Sequence, residues 1–511
     1  MSQPGTLTWF ARHECRLAWR DWLWMMTAGR RSRARNVAIG IVLFALFLHG
    51  VAYYMVGGFA PPGDHPDKAG LLLVSGNVLL AAALMLSQAM ESVTRAFYSR
   101  ADLDLILSSP ASARRLFAVR IGAMALSITA MALLLAAPFL NILAFQGGWH
   151  WLGAYGAIAA MGMAATALAV ALTVALFRAI GPKRTRLVAQ IVAAVIGAAF
   201  VIGLQVAAIL STGTLSRLDV LQSETLLAMA PAADSLLWWP ARAMIGEPLP
   251  LLAVLAAGMA MLGAAIVVFA RVFAGHAVAA AGLAFGGTKQ TGRRGAFRSA
   301  SPMQALRRKE WTLLRRDPWL LSQTLMQLLY LLPPALLLWR SFAAGIDAPA
   351  LLVPVLIMAS GQLAGGLAWL AISGEDAPDL IASAPISARQ VTRAKVEAVL
   401  GAVAMVFAPL LAGLALLSIF AALMAAIFTL IGAGSATMIQ LWFRSQAKRS
   451  QFRRRQTSSR VATFAEALCS VGWAATGALA ALGNWAALFT GLIVLGILLG
   501  ARMLSPVRRG R

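Results

Sequence analysis

The side chains that carry most enzyme chemistry are few in this chain and scattered. Its five histidines, His13, His49, His65, His150 and His276, show no i, i+4 pair of the kind that holds a metal on one helix face. No paired carboxylates and no Ser/His/Asp set gather within the apolar segments, so neither acid–base nor nucleophilic catalysis is indicated. The nearest approach to a phosphate loop, GLAFGGTK at 282–289, lacks the G-x-x-x-x-G-K-[ST] spacing, and no helix-forming sequence follows Lys289. The chain is therefore expected to hold no cofactor or metal and not to be an enzyme. Cys15 lies in a basic segment and Cys469 in an apolar one, which gives no disulfide framework.

What does recur is a polar phrase. Residues 104–114 read DLILSSPASAR and residues 379–389 read DLIASAPISAR, identical at eight of eleven positions and 275 residues apart. A second pattern, E-x-x-L-x-x-R-D, is formed by Glu14, Leu17, Arg20 and Asp21 and again by Glu310, Leu313, Arg316 and Asp317, at an offset of 296. The basic stretches LFRAIGPKRTR (176–186) and WFRSQAKRSQFRRR (442–455) match more loosely.

These polar markers stand in a very apolar chain. Of 511 residues, 60% are hydrophobic and only 12% charged, where a soluble domain carries about 25% charged residues. Continuous apolar runs recur, each long enough at about 1.5 Å per residue to cross a hydrocarbon core of about 30 Å. Runs of this kind argue against a β-barrel, which alternates apolar and polar residues. The fold class expected is an all-α polytopic membrane protein. Twelve spans are predicted at about 37–58, 69–90, 121–145, 151–177, 187–211, 250–274, 321–342, 350–373, 396–418, 421–443, 461–482 and 485–503. The turn near Phe420 is the tightest, where two spans compete with one long broken helix.

The connections alternate in charge. Of 44 Lys and Arg residues, all but Lys68, Arg217, Arg242 and Arg340 fall on one side of this arrangement. The positive-inside rule places that side, with both termini, in the cytoplasm. The net charge of +25 then reflects topology and contact with anionic lipid rather than nucleic acid. GRRSRAR (29–35) and RSQFRRRQTSSR (449–460) read as membrane-flanking charge, and residues 1–36 lack the short apolar core of a signal peptide.

With the spans in place, the markers describe a parallel duplication. A first six-span half covers 1–275, a flexible basic linker 276–301, and a second six-span half 302–511. Each half runs in one order: a charged Trp-containing segment, two spans, the repeated phrase, two spans, a basic loop, two spans. In the stretch 98–120 around the first phrase, Leu103, Ile106 and Leu107 make one helical face apolar. Asp102 and Asp104 suit a helix start. Ser109 can cap a second helix with Pro110 at its first position. Arg114, Arg115 and Arg120 mark that helix's approach to the lipid headgroups, and Asp376, Asp379, Pro385, Arg389 and Lys395 take the corresponding places in the second copy. A solvated amphipathic loop is the alternative for either copy alone; its occurrence at one topological point in both halves argues for a shared docking role. Segments 7–26 and 303–320 read as interfacial helices.

With SRADLDLILSSP (99–110), KEWTLLRRDPWLLSQ (309–323) and GEDAPDLIASAPISARQVTRAK (374–395), nearly the whole chain resembles the permeases of the type-2 ABC transporter family, in particular the two-halved exporter permeases. The resemblance implies a permease in the bacterial inner membrane, with a separate ABC ATPase subunit, in two copies, consuming the ATP. It also implies that two coupling helices dock on that partner, one around Asp102, Asp104, Leu105, Ser109, Pro110 and Arg114, the other around Asp376, Asp379, Leu380, Pro385 and Arg389. Glu14, Arg20, Asp21, Glu310, Arg316 and Asp317 would belong to the interfacial helices. Family members carry short outer helices between their fifth and sixth spans, where this chain has LLWWPARAMIG (236–246); its second half departs, with only Gly483 and Asn484 between its last two spans. Export is implied by the same likeness; the substrate is not.

The rival reading is an ion-coupled secondary transporter with twelve spans. It would keep ionisable groups within the membrane, and the chain offers only His49 and Glu466, neither with an acid or base partner in its own span. The glycine- and alanine-rich runs GAIAAMGMAATALA (156–169) and GQLAGGLAWLA (361–371) suit close helix packing.

Overall fold

The structure is a computed structural model. It describes residues 6–27, 34–57, 67–98, 113–212, 224–285, 301–316, 329, 332, 333, 336, 349–373, 381, 383–443 and 460–505. The described residues are helical, with no strand among them. Among the described residues, ten helical segments are long and apolar enough to cross a membrane. The protein is thus a multi-pass helical membrane protein, in which the backbone satisfies its own hydrogen bonds away from water.

The chain divides into two compact units, Met1–Gln290 and Thr291–Arg511. Unit 1 contains α1 (Leu7–Thr27), α2 (Ala34–Gly57), α3 (Lys68–Tyr98), α4 (Ala113–Gly147), α5 (Gly153–Thr212), the short α6 (Glu224–Met229) and α7 (Trp239–Ile245), and α8 (Pro248–Phe285). Unit 2 contains α9 (Pro302–Arg316), α10 (Pro349–Ser373), α11 (Ala388–Leu417), α12 (Ile419–Trp442), α13 (Arg460–Ala481) and α14 (Ala486–Leu504). The ten spanning segments coincide with ten of the twelve expected spans. The first expected span falls on α2, whose apolar stretch Ile41–Val56 is shorter. The seventh, 321–342, lies almost wholly outside the described residues.

Three connections bear on the expected boundaries, and the third is the expected break between two spans. Residues 178–186 are helical on both sides of Gly181, whose φ of 73 and ψ of 167 break the run, so Gly153–Thr212 is two helices that meet at a kink rather than across an open loop, in a conformation that a β-carbon disfavours. The helix α8 continues to Phe285, so 276–285 of the expected linker are helical. At Ser418 the chain is extended (φ −153, ψ 110), and the Ser418 hydroxyl accepts from the Ala421 amide to cap α12. The apolar run there is two helices packed on each other, not one broken helix.

In unit 1, α5 packs against α3 and α8 around Met85, Met90, Val93, Phe117, Ile121 and Phe177. At one end, Leu71, Ala144, Trp151, Trp238, Ala241 and Ile245 form a second cluster. It holds α7 and the short 3-10 turn Leu236–Trp238 against the spans. The LLWWPARAMIG segment therefore forms two helical turns that bury Trp238 while leaving Leu236 and Leu237 exposed. Gly246 ends α7 at φ 94, and a β-carbon there would overlap the His150 carbonyl oxygen. Arg242 is neutralised locally, donating to Glu247 at 3.2 Å and to the Ala233 carbonyl at 2.6 Å. In unit 2, α10 is central and packs against α11, α12 and α13.

Candidate functional site

The repeated phrase leads into α4 in unit 1 and into α11 in unit 2, and both helices begin at equivalent positions, Ala113 and Ala388. In the second copy the start of α11 is fully visible. Ser387 accepts from the Gln390 amide at 3.2 Å, and the Gln390 side chain accepts from the Ser387 amide at 3.0 Å. This capping box satisfies two amides that the first helical turn leaves without intrahelical partners. The cap is thus the second serine of the phrase. In this copy Pro385 precedes the helix by three residues and does not take its first position, the place expected for the proline of the phrase. Ser109 and Pro110 themselves lie outside the described residues, as do Asp102, Asp104, Leu105, Asp376, Asp379, Leu380 and Asp317. Arg114, Asp21 and Arg316 are on helices, with side chains outside the description. Pro385, Arg389 and Arg20 are exposed.

The segments expected to be interfacial are helices, α1 and α9, and each is bound to the start of the helix that follows the phrase. In unit 2, Leu306 of α9 is buried against Val391 and Ala394 of α11, with Met303, Ile381 and Ile386 packed around them. Ile381 is the second-copy equivalent of Ile106, a member of the expected apolar face. Ile381 is half-buried on this α9–α11 cluster, while Pro385 and Arg389 are exposed.

Beneath this contact lies a buried ion pair. Lys395 Nζ donates to Glu310 Oε1 at 2.9 Å and Oε2 at 3.1 Å, and also to the Ala371 carbonyl near the end of α10. The Glu310 side chain is 0% exposed and that of Lys395 7%. Lys309 adds a second ammonium, 3.1 Å from Glu310 Oε1. Three hydrogen bonds compensate the desolvation of the Lys395 ammonium, the condition for a buried charge to be tolerated. Outside it, Arg307 and Arg393 both donate to Glu397, at 2.6 and 2.8 Å. Glu397 raises the Arg307 pKa further, through its hydrogen bond and then its charge.

Unit 1 carries the same arrangement. Arg120 Nε lies 3.5 Å from Glu14 Oε1, joining α1 to the foot of α4, with side chains 3% and 13% exposed. The Arg120 guanidinium also lies 5.8 Å from the Phe117 ring centroid. Glu14 and Glu310 are related by the 296-residue offset, Arg120 and Lys395 by the 275-residue offset. Two markers found independently in sequence are therefore joined by one ion pair in each unit. Arg120 and Lys395 are not turned to lipid headgroups, as their spacing alone suggested; each is buried against a glutamate. The available signal was the recurrence of a cation six residues past the phrase's last arginine in both copies.

Further polar groups lie within the apolar helices. His49 Nδ1 donates to the Ala45 carbonyl at 2.8 Å if its other nitrogen, 3.1 Å from Asn141 Nδ2, accepts; Tyr155 in turn donates to Asn141 at 2.8 Å. In unit 2, the glycines of GQLAG are close-packing positions. A β-carbon on Gly361 would come within 2.6 Å of Ser470 Oγ, and one on Gly365 would overlap Glu466 Oε1. Gln440 of α12 donates to Glu466 Oε2. This partner on a neighbouring helix was not legible in the sequence. Trp473 Nε1 donates to Ser435 Oγ at 3.0 Å on the next turns. Among the described residues, no three His, Cys, Asp or Glu side chains gather as metal ligands.

No protein-family model, no curated protein and no solved structure matches the chain.

Proposed function

We propose that the protein is the membrane-spanning permease of an ATP-driven ABC exporter, working with a separate ATPase subunit in two copies. The observation that carries this reading is the paired linkage, Glu14 to Arg120 and Glu310 to Lys395. In each unit it ties an amphipathic helix to the foot of the span that follows the repeated phrase. A subunit that docks on the phrase and moves it would displace that span and the amphipathic helix together. In unit 2, Lys395 extends the linkage to Ala371 at the end of α10, so both helices flanking the phrase share one anchor.

On this reading the chain is a parallel duplication of six-span halves, with both termini and both phrases in the cytoplasm of a bacterial cell and the spans in its inner membrane. The recurrence of one ion pair at two sequence offsets supports the duplication. The exposed Pro385 and Arg389 are the part of the second phrase left for the partner, together with Asp376 and Asp379; Asp102 and Asp104 serve the first. ATP is bound and consumed by the partner.

The test is recovery of the partner. The chain is co-expressed with an ABC ATPase subunit from the same genome, and the complex is purified in detergent. Wild-type protein retains the ATPase, whereas Asp104→Lys with Asp379→Lys loses it. Equal recovery with the double variant sinks the docking role.

A further inference from the structure

Glu466 is the one carboxylate on the four helices α10, α12, α13 and α14. It lies six residues into α13, over Gly365 of α10. Gly365 is six residues before Ala371, the carbonyl bonded by Lys395. At about 1.5 Å per residue, the carboxylate is set back about 9 Å along α10 from the Lys395–Glu310 pair. Among the described residues its hydrogen-bond partner is the neutral amide of Gln440, which is itself 8% exposed.

Among the described residues, no cation on the helices packed against α13 forms an ion pair with Glu466. Neither α10 nor α12 has an ionisable side chain. On α14 the cation is Arg502, whose guanidinium lies over the Trp442 ring, 5.9 Å from its centroid. On α13 itself, Cys469 is buried one turn further in, and the Arg460 side chain lies outside the described residues. A carboxylate held by one neutral amide among apolar helices is strongly disfavoured in its charged form, and such groups within membrane spans mark ion pathways or sites.

We propose that Glu466 and Gln440 form a proton-binding site inside the second unit. A metal cation would require several oxygen ligands at once, whereas a proton requires one carboxyl oxygen. Gln440 supplies an N–H to the other oxygen and holds the carboxyl against Gly365. Uptake from water neutralises the group and lets α10 and α13 close along Gly361 and Gly365; release returns a charge to that seam. The site stands apart from the ATPase reading and neither depends on it nor supports it.

The full chain in lipid nanodiscs tests this by infrared difference spectroscopy between acidic and alkaline buffer. The expected result is a protonated-carboxyl C=O band that is lost on alkalinisation and absent in Glu466→Gln. Gln440→Leu keeps the carboxyl, removes its donor and shifts the band. A wild-type difference spectrum with no band that Glu466→Gln removes overturns the proposal. Should Glu466→Gln not fold, an unshifted band in Gln440→Leu overturns it.

Discussion

Lys395 and Glu310 are 85 residues apart in sequence and in direct contact, with the ammonium bonded to both oxygens of the carboxylate and to the Ala371 carbonyl. Three helices, α9, α10 and α11, meet at that one nitrogen. Its equivalent in unit 1, Arg120 with Glu14, joins two helices through a longer and less buried pair.

Removing one partner of a buried ion pair leaves the other desolvated and uncompensated. Lys395→Met is expected to destabilise the protein by about 3 kcal/mol, read as a fall in melting temperature of the detergent-solubilised chain. Lys395→Met combined with Glu310→Leu should recover most of that loss, because neither charge is then buried alone. Lys309 stays beside Glu310 in the single variant, so Lys395→Met with Lys309→Met should be worse than Lys395→Met.

The unit 1 pair is 3.5 Å long and its glutamate partly exposed. Glu14→Gln should therefore cost only about 1 kcal/mol. Arg120→Met should cost more than Glu14→Gln, because the arginine is almost fully buried and also lies over Phe117. Melting temperatures of the two variants compared side by side check the order; equal losses would contradict it.

Gly365→Ala places a methyl group where Glu466 Oε1 lies. Overpacking of this kind typically costs about 1–3 kcal/mol. Glu466→Ala should relieve it, so the two substitutions together are expected to be less destabilising than the sum of each alone. Additive losses would mean that the two residues do not share this contact.

Gly246→Ala meets two obstacles at once, a φ of 94 and the His150 carbonyl. The strain, about 1–3 kcal/mol, falls on the junction that holds Trp238, Ala241 and Ile245 against Leu71 and Trp151. Limited proteolysis should then cut within 230–247 faster than in the wild type. Gly263→Ala is the control, since nothing lies within 4 Å of its added carbon.

The spans were legible because hydrophobic length is a one-dimensional property: about twenty apolar residues in a row can do little else than form a membrane helix. The same holds for the interfacial helices and for the two repeated patterns, whose spacing survives in the chain whatever they touch. The cap of α11 was not legible because Ser383 and Ser387 both carry a hydroxyl that suits one; only the hydrogen bonds at the start of α11 show that Ser387 takes the place.

The sequence by itself determined the helical membrane class, most of the spans and the presence of two related markers in each half. Which marker meets which was decided only by tertiary structure. Glu14 finds Arg120 across 106 residues and Glu310 finds Lys395 across 85, while Glu466 finds Gln440 on a neighbouring helix. Periodicity gives the face of a helix, but a partner depends on the rotation and depth at which two helices pack. Those are set by many small contacts, such as Gly365 against Glu466, that leave no local pattern in the chain.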